Sequence, residues 1–113
     1  MSNSILTSIK KLLGIEEDYT QFDTDVIIHI NSALMSLNQL GIGPETGFAV
    51  VDKNQTWSNY LGTEVNVEAV KTYIYLKVRL IFDPPSSSSV IDAMERQIQE
   101  FEWRLTMQME GGT

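Results

Sequence analysis

Few residues in this sequence are of a kind that does chemistry. The one histidine, His29, sits between Ile28 and Ile30 with no second histidine to share a metal ion, and no serine lies in a recognisable nucleophile pattern. His29 therefore reads as structural. With no cysteine in the chain, a thiolate nucleophile, a thiolate metal ligand and a disulfide framework are all excluded. The densest carboxylate run, Glu16-Glu17-Asp18, falls between two helical patterns, where acidic runs face solvent. Gly41-Ile42-Gly43-Pro44 lacks the third glycine or the lysine of a phosphate cradle and follows a helix, so it reads as a turn. No catalytic residue, no cofactor and no metal site is expected.

What remains is contact chemistry. Trp103 lies about 140° around its helix from Ile98, off the main inward stripe and on a side shared with Met107. It is either part of a second buried face or an interface residue. Trp57, in a long connection, poses the same choice, and aromatic residues are enriched at protein interfaces. Met107 and Met109 suit an adaptable contact surface or gap-filling in a core. The candidate intermolecular surface is Phe48, Trp57, Tyr60, Trp103, Met107 and Met109.

The elements that must position these residues are helical. A first helix is predicted over Ile5 to Leu13, capped by Asn3 or Ser4 and stopped by Gly14. In a second, Phe22, Val26, Ile30, Leu34 and Leu37 repeat at helical spacing up to Gly41, with Thr20 and Asp23 spaced as a capping box. Gly41 to Asn66 spans 26 residues, too many for a structureless loop in a compact fold. Within it Phe48-Ala49-Val50-Val51 is β-prone, and Thr56 to Gly62 looks like one capped helical turn.

The third main helix, Val67 to Phe82, is apolar around most of its circumference, so it should be the most buried, with Tyr73, Ile74, Leu76, Val78 and Ile81 inaccessible. Asp83-Pro84-Pro85 ends it, because proline lacks a backbone donor and restricts the residue before it. The resulting sharp reversal should set the last helix antiparallel. Ser89 and Asp92 have the spacing of a capping box at the start of that helix, which turns Ile91, Met94, Ile98, Phe101 and Leu105 inward. The fold class is all-α: a small bundle of about four main helices with a long, partly structured connection between the second and third.

Composition sets the outer bounds. A chain of 113 residues with 42% hydrophobic and 20% charged residues is expected to fold as a single helical domain over residues 1–113. No apolar run approaches the length of a membrane span, and Met1 to Ser4 does not open a secretory signal, so no membrane association is expected and the amino terminus should belong to the mature fold. A net charge of −7, with only 8 basic residues, argues against binding nucleic acid through its phosphates.

Three blocks then carry a resemblance: Thr56-Trp57-Ser58-Asn59-Tyr60-Leu61-Gly62, the run from Val70 to Pro85, and Gln99-Glu100-Phe101-Glu102-Trp103-Arg104-Leu105. In order and spacing, over nearly the whole chain, they resemble the head-tail connector, or head completion, proteins of long-tailed bacteriophages and prophages. The resemblance implies a non-enzymatic virion protein at the head-tail junction, made in the cytoplasm of a bacterial host. It implies a homo-oligomeric ring that contacts the portal protein on one side and a tail-proximal protein on the other, with DNA passing through without specific binding. In that family the carboxy-terminal segment tends to engage the portal, and the long connection tends to face neighbours or the tail. The alternative from another class is a small acidic regulator or inhibitor that binds a host protein.

Overall fold

A computed structural model describes residues 3–62 and 66–111, with side chains through Met107. Among the described residues there are five helices: α1 Ile5–Leu12, α2 Asp23–Gln39, α3 Trp57–Leu61, α4 Val67–Phe82 and α5 Ser88–Gly111. The all-α bundle predicted from the sequence is the observed architecture. Its largest helix–helix interface joins α2 to α4, with α1 packed on both and α5 packed on α4.

α1 starts where the Ser4 hydroxyl accepts a hydrogen bond from the Thr7 amide at 3.2 Å. Its apolar face, Ile5, Leu6 and Ile9, is buried. The chain before it is pinned to the long connection by backbone bonds from Ile5 N to Gln55 O and from Trp57 N to Asn3 O, both 3.0 Å. That tether anchors a helix too short to stand alone.

α2 is not capped as its sequence suggests. No side chain caps it, and the Asp23 amide donates to the Thr20 carbonyl at 3.2 Å. The Asp23 carboxylate turns instead to the Lys10 ammonium, 2.8 Å away. Lys10 is only 3% exposed, and its Nζ also donates to the carbonyls of Tyr19, at 2.7 Å, and Glu17, at 3.0 Å. A buried cation is tolerable only with acceptors of this kind around it, and these three fold the α1–α2 connection over the lysine. Val26, Ile30, Ala33, Leu34 and Leu37 form the buried stripe of α2, whereas Phe22, expected to begin that stripe, is exposed.

The described residues of the connection after α2 are structured without strands. Phe48 to Val51, predicted to be β-prone, pairs with no strand; instead the Asn31 side chain of α2 donates from Nδ2 to Val50 O at 3.0 Å and accepts from Val50 N at 2.8 Å. Gly43 has φ +87, and a Cβ there would overlap the ring of Tyr60, so the turn requires glycine. The capped turn predicted over Thr56 to Gly62 is α3, which opens on a capping box between Thr56 and Asn59 and ends at Gly62.

α4 begins at Asn66, whose side chain accepts from the Ala69 amide at 3.2 Å. Of its residues only Glu68 and Ile81 are exposed. Tyr73, Ile74, Leu76 and Val78 are buried as predicted, but Ile81, at 60% exposed, is not. Ile81 lies in the last turn before the Asp83-Pro84-Pro85 corner, and its side chain stands clear of the core. The cap of α5 also shifts from its predicted place: Ser87, not Ser89, accepts from the Val90 amide, at 3.4 Å. α5 runs antiparallel to α4, since Phe101, Arg104 and Leu105 meet Asn66, Ala69 and Thr72 near the other end of α4. Met94, Ile98 and Leu105 are its buried stripe, flanked by the half-buried Ile91 and Phe101.

Candidate interaction surface

Of the six residues predicted as an intermolecular surface, the structure separates the five whose side chains it describes. Trp57 is a core residue at 3% exposed, and its indole N–H donates to the Ser8 hydroxyl at 3.1 Å. Tyr60 is buried beside it, and burial pushes its phenol above the ordinary tyrosine range. The reason is local: the capping box fixes α3 so that positions 57 and 60, three apart, share one face, and a five-residue helix is held only by burying that face. Phe48 is half-buried and rests on the Tyr60 ring, centroids 5.1 Å apart. These three support the fold of one subunit.

Trp103 and Met107 lie elsewhere. Trp103 is 65% exposed and Met107 is exposed beside it. The side chain of Met109 lies outside the described residues. The roll of α5 is fixed by a bond from the Tyr73 hydroxyl to Glu102 Oε2 at 2.7 Å, with Tyr73 fully buried. Burial, then this bond, drives the Tyr73 phenol above its usual range. Beside Trp103, Arg104 pairs with Glu100 at 2.6 Å, one turn away and largely in solvent.

A second exposed aromatic group was not foreseen. Tyr19 and Phe22 have centroids 5.5 Å apart, and Phe22 meets Phe82 edge-on at 5.4 Å. Tyr19 and Phe22 are exposed and Phe82 is half-buried. The sequence signal was the spacing of Tyr19 and Phe22 before α2, but nothing local links them to the end of α4. Acidic residues surround the group in the chain: Glu16, Glu17, Asp18, Asp25 and Asp83 are all exposed. Among the described residues no cluster of three or more histidine or carboxylate side chains could hold a metal ion, and His29 is half-buried within α2.

The helical framework and outward aromatics are the setting for a comparison with known proteins. A family model described as phage connector protein matches residues 5–112. The chain belongs to the phage connector protein family. Neither curated proteins nor solved structures give a match. As a member of a structural family of phage virion components, this connector protein is built for contacts with other such components. No helix among its described residues is long and apolar enough to cross a membrane.

Proposed function

We propose that this connector protein is the subunit of an oligomeric ring at the head-tail junction, bound to the portal on one side and to a tail-proximal protein on the other, with DNA passing through the ring. The family match over residues 5–112 carries the reading. The exposure of Trp103 and Met107 on a well-fixed helix supports it, because a monomer gains nothing from holding a tryptophan in water. The net charge of −7 suits a channel wall that does not retain DNA.

The test is negative-stain microscopy of the full chain mixed with the portal of the same phage. Annular density stacked on the portal is the expected result, and Trp103→Ala should weaken that binding without unfolding the chain. Portal particles that never acquire the extra layer would overturn the proposal.

A further inference from the structure

We propose that neighbouring copies of this chain join head to tail, the Trp103 and Met107 end of α5 on one copy seating against the Tyr19, Phe22 and Phe82 aromatic group of the next. This inference rests on the ring reading above and names the surfaces that build the ring. Among the described residues only three aromatic side chains are exposed, and they form two separate groups: Tyr19 with Phe22, and Trp103. Arg96, Glu100, Trp103 and Met107 lie within about 60° of one another on α5, about half a turn from the buried Met94, Ile98 and Leu105. This face therefore points away from the subunit that carries it.

The two groups cannot meet within one copy. Glu102 is bonded to Tyr73, and Phe82 lies nine residues further along α4, about 14 Å of helix away. Two different patches at opposite ends of a subunit make a heterologous contact, the kind that generates rings when the rotation closes. Their chemistry is matched. Phe22 already meets its neighbours tilted and edge-on, leaving room for a further ring in the geometry that aromatic pairs prefer. The acceptor side carries five exposed carboxylates, Glu16, Glu17, Asp18, Asp25 and Asp83, against three cations nearby, Lys11, Lys53 and Arg79, while Arg96 and Arg104 are exposed near Trp103. Arg104 is held only by an ion pair in solvent, so it is free to turn to a neighbour's carboxylate.

The absence of cysteine allows a direct test with Tyr19→Cys and Met107→Cys, both at exposed positions. Wild-type self-association is first followed by sedimentation over a concentration series. At a concentration where it occurs, a short bis-maleimide should join the two single variants to each other in a mixture, and should convert the double variant into a ladder of covalent multimers. Phe22→Ala and Trp103→Ala should each weaken self-association about 30-fold with an unchanged circular dichroism spectrum. Self-association of the wild type with no cross-link in the mixture overturns the pairing and leaves the ring standing. Cross-linking of Tyr19→Cys to itself as readily as to Met107→Cys overturns the head-to-tail arrangement. No self-association at any concentration, alone or on the portal, overturns the ring and the pairing together.

Discussion

At the scale of single residues, the two tryptophans have opposite meanings that their type does not reveal. Trp57 is enclosed and hydrogen-bonded to Ser8, whereas Trp103 touches little of its own subunit. Trp57→Ala should cost about 3–5 kcal/mol in urea denaturation, and Trp103→Ala should stay within about 0.5 kcal/mol of wild type. A large loss of stability in Trp103→Ala would return that residue to the core. Lys10 shows the same contrast between type and role: a lysine in the last turn of an amphipathic helix normally faces water, yet this one is buried under three acceptors. Two of those are backbone carbonyls, which no side-chain pattern announces, and the third, Asp23, has the spacing of a helix cap.

At the scale of elements, the corner between α4 and α5 sets the long last helix against the core. Asp83 leaves the helix with φ −148 and ψ 67, and two prolines follow. Replacing both with alanine should lower stability by about 1 kcal/mol or more, because the unfolded chain gains conformations. A neutral double variant in urea melts would show that the packing of α5 alone sets the reversal. Helix positions were legible in the sequence to within a residue or two where an apolar stripe ran between a polar cap and a glycine or proline, as in α4. They were less so where a cap competed with a tertiary partner, as Asp23 does with Lys10, or where four serines in a row, Ser86 to Ser89, offered alternative caps at the start of α5. Of the candidate surface, Trp103 and Met107 were read from their place off the inward stripe of α5. The aromatic group at Tyr19, Phe22 and Phe82 was not, because it is assembled by packing α2 against the end of α4.

At the scale of the whole molecule, one cluster of buried side chains gathers contributions from all five helices and from Ile42 and Val50 in the connection. Two phenols, Tyr60 and Tyr73, lie in or beside it and titrate above the ordinary tyrosine value of 10.0. The folded state thus holds their protons more tightly than the unfolded state does. Their contribution is fully present below pH 10.0 and is lost as pH rises from there toward the folded-state values. Urea melts should show stability falling as pH rises above about 10, and Tyr60→Phe should make that fall shallower. The Tyr60 hydroxyl is buried without a hydrogen-bond partner, so its removal should not weaken the fold near neutral pH.

The Asn31 clamp on Val50 gives the long connection a partner that is a side chain instead of a strand. A strand forms its ladder bond by bond, but an amide side chain offers both halves at once and only from a wound helix. The Val50 amide therefore keeps its proton from solvent for as long as α2 stays closed, and releases it with the middle turns of that helix. Hydrogen exchange should show Val50 with the protection of the α2 amides around Asn31, far above that of its exposed neighbour Ala49. In Asn31→Ala the Val50 amide should exchange as an open loop does while the α2 amides stay slow. Continued protection of Val50 in that variant would mean that burial alone shields it.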